Sequence, residues 1–223
     1  MKFLNTLIIN RVKGLGLIKP ILKEALDYHL KNSPNISTNT VVLTSDLSTE
    51  AVGTTLPLIP DSAIHYRCGD NFIGHYGFLP FKAFSDNIPR DVKTIYVLAE
   101  NKNRKTINKK PLVAKCDSIF VSMLNYLKKH FPSAKIVIRR GDDLYIDMAR
   151  LAYAKTAICS VSTFCLWPAI MNEGSAFFPK TRLIVGGDTN INLGFKWITS
   201  PSVLSGVSYL HSPPSQLIAQ LNE

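Results

Sequence analysis

From Pro60 onward, short apolar runs alternate with stretches of helical period, and this alternation limits the fold more than any single residue does. Residues 62–66, 94–99, 135–139, 156–160 and 175–178 read as strands, the last ended by Pro179. Residues 118–130, 144–154 and 163–172 read as helices, the first stopped by Pro132. Parallel strands buried on both faces read as continuous apolar runs, so the pattern specifies a doubly wound α/β fold around a mostly parallel sheet. After Gly186-Gly187 the pattern weakens, until a closing helix over residues 215–221.

The first 59 residues read differently. Residues 1–31 are mostly helical, with Gly14, Gly16 and Pro20 breaking the first part and Ile18, Leu22, Ala25, Leu26 and His29 at helical spacing in the second. Residues 31–40 form a polar loop, 40–44 a short strand, and 45–55 another loop. The expected organisation is therefore an N-terminal helical segment and linker over 1–59, then one domain over 60–223. Asn5, Asn10, Arg11 and Lys13 interrupt the N-terminus, so no run approaches the roughly 20 apolar residues of a spanning helix. There is also no clean apolar region followed by a small-residue cleavage site. No transmembrane segment is expected. Asn35-Ile36-Ser37 fits a glycosylation acceptor, a pattern short enough to recur by chance.

A chain of 223 residues that is 46% hydrophobic can build a full core, which excludes disorder and small disulfide scaffolds. Against 16 acidic residues stand 26 basic ones, a net charge of +10 that favours an anionic partner: nucleic acid, a phosphorylated small molecule or an acidic membrane surface. Lys102, Arg104, Lys105, Lys109 and Lys110 share one polar stretch, read either as a solvated loop or as a patch for such a partner. The four cysteines form no CxxC pair and have no histidine at ligand spacing, so no metal site is expected and buried free thiols are. No P-loop, no GxGxxG after a strand and no GxSxG occurs.

Ligands of doubly wound sheets bind beyond the carboxyl ends of the strands, and three such ends carry chemistry. The first is His65-Tyr66-Arg67-Cys68-Gly69-Asp70. An arginine there can fork onto phosphate oxygens, and Asp70 can fix the loop or the arginine; an ordinary turn with a surface Arg–Asp pair fits the same residues. The second is Asp147, in the helix after Arg139-Arg140-Gly141-Asp142-Asp143, a carboxylate suited to a ribose or a base or simply to a helix N-terminus. The third is Ser160-Val161-Ser162-Thr163-Phe164, where hydroxyls and unpaired N–H groups meet as a strand runs into a helix. A plain N-cap would need only one of those hydroxyls.

The first motif resembles the His-x-Arg-x-Gly-Asp motif of the α1,2-, α1,6- and protein O-fucosyltransferase superfamily. Asp147 to Ala152, followed by Ala157 to Phe164 and then Trp167, is similar to that superfamily's later donor-binding motif. Cys68 and Cys165-Leu166 depart from the α1,2 pattern, which leaves the sugar open. The resemblance spans roughly residues 60–180 and implies the Rossmann-like, C-terminal donor-binding half of a GT-B glycosyltransferase. It further implies a nucleotide-sugar donor, GDP-fucose first, used by a metal-independent inverting mechanism on a glycan or glycoprotein hydroxyl. By the same resemblance Arg67 binds the diphosphate, Asp147 the nucleoside, Ser162 and Thr163 the phosphates, while His65, Ser160 and Phe164 line the pocket. Asp70 and His65 are the candidate bases. Because residues 1–59 are fewer than a usual Rossmann domain needs, three alternatives stay open: acceptor recognition is reduced to this short region, supplied by a partner domain, or lost. The compartment stays open: the secretory pathway for a eukaryotic chain that is part of a longer protein, the cytoplasm otherwise. The competing reading is a non-catalytic basic module that binds nucleic acid or an anionic polysaccharide.

Overall fold

Among the described residues, six parallel strands and one antiparallel edge strand make a single sheet, and their order decides where a ligand can sit. The computed structural model describes residues 11–32, 40–42, 56–68, 77–99, 110–140, 143–180, 193–199, 204–205 and 211–223. The strands are β1 (Thr40–Val42), β2 (Ser62–Tyr66), β4 (Thr94–Ala99), β5 (Lys135–Arg140), β6 (Thr156–Cys159), β7 (Ser175–Pro179) and β8 (Lys196–Ile198). Their spatial order is β1-β5-β4-β2-β6-β7-β8, with β1 antiparallel to β5 and every other pair parallel. Two short strands, β3 (Gly77–Phe78) and β9 (Leu204–Ser205), pair separately. Counted along the chain, the six parallel strands lie in the order 3-2-1-4-5-6, the dinucleotide-fold order. The chain steps outward from β2 to β4 and β5, then returns to lay β6 on the other flank of β2. The doubly wound α/β reading is thus met, in Rossmann-like form.

Alternate residues of each strand feed opposite faces. Ile64, Tyr66, Val97 and Ile138 pack against α2 (Phe81–Ser85), α3 (Lys110–His130) and α6 (Pro214–Asn222). Ala63, Leu98, Val137 and Ala157 pack against α4 (Leu144–Tyr153) and α5 (Leu166–Met171). The N-terminal helix α1 (Arg11–Asn32) adds a further layer: Leu22, wholly buried, seats against Ala149 and Ala152 of α4 and Met171 of α5. Removing such a side chain from water contributes about 1.5–3 kcal/mol. Pro20 was expected to break this helix, but α1 runs through it, because packing along one face outweighs the local preference. Residues 101–109 lie outside the described set, and α3 begins at Lys110, eight residues before its apolar period becomes clear.

The cysteines correct the expectation of free thiols. All four are paired, Cys68 with Cys116 and Cys159 with Cys165. The spacing shows no framework because Cys116 reaches Cys68 only through the crossover that lays α3 over the sheet.

At the amino edge of the sheet, Asp61 ties three elements together. Its carboxylate accepts from the Lys93 and Thr94 N–H groups, the Thr94 hydroxyl and the Lys155 ammonium. Nearby, Asn172 donates to the carbonyls of Leu151 and Ala154 and accepts from the Gly174 N–H, which joins the ends of α4 and α5.

Candidate functional site

The order reverses between β2 and β6, so their carboxyl ends border the crevice in which this class of sheet holds its ligands. The register runs Ser62–Thr156 to His65–Cys159, so the two strands end level. One further rung follows, from the Ser160 N–H to the His65 carbonyl at 2.9 Å. The next is made by a side chain. The Arg67 N–H donates to Ser160 Oγ at 3.0 Å, and the same oxygen lies 3.1 Å from His65 Nδ1. The Phe164 ring lies 5.1 Å from the imidazole, closing the corner. His65, Arg67, Ser160 and Phe164, singled out from two motifs nearly a hundred residues apart, thus meet in one network.

Burial sets the chemistry of His65. The ring is 9% exposed, and desolvation, aided by the neighbouring Arg67 charge, lowers its pKa to about 3. Ser160 Oγ already accepts from Arg67, so its own proton can go to Nδ1, leaving the ring proton on Nε2. An imidazole held neutral to such acidity is a weak proton acceptor and a pH-insensitive hydrogen-bonding group. His65 is therefore better suited to shaping a binding corner than to acting as a base. The other candidate base, Asp70, lies outside the described residues, as does Gly69.

Beyond Ser160, the chain turns through a short 3-10 segment, Thr163–Cys165, before α5. The expected continuous helix over 163–172 is thus split, and α5 itself has only six residues. Ser162, buried, caps the turn by accepting from the Phe164 N–H at 3.3 Å. Thr163 is exposed beside it.

Asp147 serves a different partner. Its carboxylate accepts from Arg150 Nη1 at 2.8 Å, one helical turn on, and Arg150 is wholly buried. A buried guanidinium requires such a counter-charge. Arg150 also donates to the Leu58 carbonyl, and its guanidinium lies 5.9 Å from the centre of the Tyr96 ring. Arg139 stacks over the same ring at 5.2 Å, whereas Arg140, on the other face, pairs with Asp117 at 2.6 Å and lies over Phe120. The ion pair gives Asp147 a structural task that its sequence position did not reveal. Sequence reading also missed that both disulfides border the crevice. Cys68 follows Arg67, and Cys159 and Cys165 bracket the Ser160–Phe164 turn.

Among the described residues no cluster of three or more acidic, histidine or cysteine side chains could hold a metal ion, and no helix is long and apolar enough to cross a membrane. Comparison with protein families, curated proteins and solved structures finds no match to this chain.

Proposed function

We propose that the chain binds the diphosphate of a nucleotide sugar at the corner between β2 and β6 and serves as the donor-binding half of a fucosyltransferase-type glycosyltransferase. GDP-fucose is the leading donor. The observation that carries this reading is the network joining His65, Arg67 and Ser160 across the two strand ends at which the strand order reverses. That crevice is where dinucleotide-type folds bind phosphate groups, and the two motifs that resemble the fucosyltransferase superfamily contribute one side each.

In this proposal Arg67 forks onto the diphosphate, while Thr163 and the backbone of the turn donate to the remaining oxygens. These groups stabilise the negative charge that grows on the leaving diphosphate, so they favour the transition state over the bound donor. An acceptor hydroxyl, from a glycan or glycoprotein, attacks the anomeric carbon from the opposite face and inverts it. The hydroxyl proton goes to a base other than His65, because burial and the Arg67 charge oppose protonation of its ring. Asp70 is the carboxylate nearest in sequence for that task. A partner domain supplies the acceptor surface, and the donor chemistry requires no metal.

The net charge of +10 favours a second reading, a non-catalytic module that uses the corner to hold a nucleic acid or an anionic polysaccharide. Thermal melting separates the two. Under the donor reading, GDP and GDP-fucose raise the melting temperature and an unrelated oligonucleotide of equal charge does not. Stabilisation by the oligonucleotide alone overturns the donor reading in favour of the module.

A further inference from the structure

The candidate hydroxyls lie inside a covalent ring. Cys159 is the last residue of β6 and Cys165 the last of the 3-10 turn, and their disulfide spans six positions that enclose Ser160, Ser162 and Thr163. The opposite side of the crevice is also tethered: Cys68, directly after Arg67, is bonded to Cys116 of α3 over a separation of 48. Both sulfurs of the short link are wholly buried.

The two links differ in what they can do. In the chain-entropy account, stabilisation by a cross-link grows with the length of the loop that it closes, so a link over a separation of 6 contributes less to global stability than one over a separation of 48. What a small ring does well is restrict the few residues inside it. Within this ring the noncovalent hold comprises the Ser160 N–H bond to the His65 carbonyl, the two contacts of Ser160 Oγ, the buried Val161, the Ser162 cap and the Phe164–His65 ring contact, so residues 162–164 are held chiefly by the last two.

We infer that the Cys159–Cys165 disulfide is a positioning device, which presses the Ser160–Phe164 turn onto the end of β2 and sets the anion-binding corner in its working shape before a ligand arrives. For the ligand this inference rests on the diphosphate reading above; for the shape of the turn it stands alone. The affected groups are the Arg67 N–H, which donates to Ser160, and the Phe164 N–H, which donates to Ser162.

The test compares the parent with Cys159→Ala/Cys165→Ala, and with Cys165→Ala alone as a second variant that keeps sulfur at the buried position 159. Amide hydrogen exchange at Arg67 and Phe164 is measured without ligand, and GDP affinity by calorimetry. The expected result is exchange at both amides faster by at least tenfold, unchanged exchange in β4, and GDP affinity weaker by about tenfold. Parent-like exchange at both amides in the variant that melts cooperatively overturns the inference, whatever the GDP result. Faster exchange in a protein whose parent form does not bind GDP upholds the positioning role and refutes the diphosphate reading instead.

Discussion

Replacing Ser160 with alanine removes one oxygen and unmakes the corner. Ser160 Oγ accepts from the Arg67 N–H at 3.0 Å and meets His65 Nδ1 at 3.1 Å. Ser160 and His65 are 4% and 9% exposed, so water cannot readily replace the lost partner of the imidazole. Leaving one buried polar group unsatisfied costs about 1–3 kcal/mol. Arg67 is half-buried, so its N–H is expected to recover part of its loss from solvent. The expected total is therefore about 2–3 kcal/mol, read as a drop in urea midpoint at unchanged slope. Ser162→Ala is the comparator, since Ser162 is equally buried but makes a single capping bond of 3.3 Å. Its expected loss is about 1 kcal/mol. Equal losses for the two variants, or a Ser160→Ala protein within about 0.5 kcal/mol of the parent, would refute the reasoning that Ser160 joins the two strand ends.

Two further outcomes concern the frame that holds the site. The Asp61 carboxyl is held below its usual pKa, chiefly by the Lys155 hydrogen bond, with the Lys93 N–H and the Thr94 hydroxyl outweighing the opposing effect of burial. Its stabilisation is therefore full above the unfolded carboxyl value and is lost as pH falls through the lowered folded one, so the deficit of Asp61→Asn is largest near pH 7 and shrinks below about pH 4. Urea melts across that range check the sign, and a deficit that widens in acid contradicts it. Gly174→Ala should cost about 2–3 kcal/mol, since the added Cβ would lie 2.2 Å from the Lys155 carbonyl oxygen, a backbone atom that also accepts from the Ser175 N–H. Parent-like melting of this variant would show that the α4–β6 corner yields more easily than close packing allows.

The central strands were the most legible part of the chain. Residues 62–66 and 94–99 are mostly apolar and buried throughout because both of their faces are covered, and the structure forms strands over those same residues. The antiparallel edge strand β1 and the late strand β8 carry weaker signals, since each has only three residues over which a pattern can show. Helix α3 starts before its apolar stripe does, so periodicity located its middle rather than its first turn. At the site, the residue types were readable and their partners were not. In sequence Asp147 reads as a nucleoside ligand or as a charge near a helix N-terminus, and only the structure shows it as the counter-ion of the buried Arg150. Cys68 and Cys165, the two cysteines that depart from the fucosyltransferase pattern, both prove to be cross-linked, Cys68 to Cys116 of α3 and Cys165 to Cys159 across the turn that follows β6.

In the proposed donor site Arg67 grips a diphosphate, and calorimetry with GDP on Arg67→Lys is the decisive experiment. The substitution keeps the charge and removes the planar fork. Losing a charge-assisted hydrogen bond costs on the order of 1.5–3 kcal/mol, so GDP affinity should fall about ten- to a hundredfold while the melting curve stays close to the parent's. Arg90, whose guanidinium lies 5.7 Å from the Phe131 ring at the amino edge of the sheet, provides the control, and Arg90→Lys should bind GDP as the parent does. An Arg67→Lys protein that binds GDP with parental affinity would contradict the account.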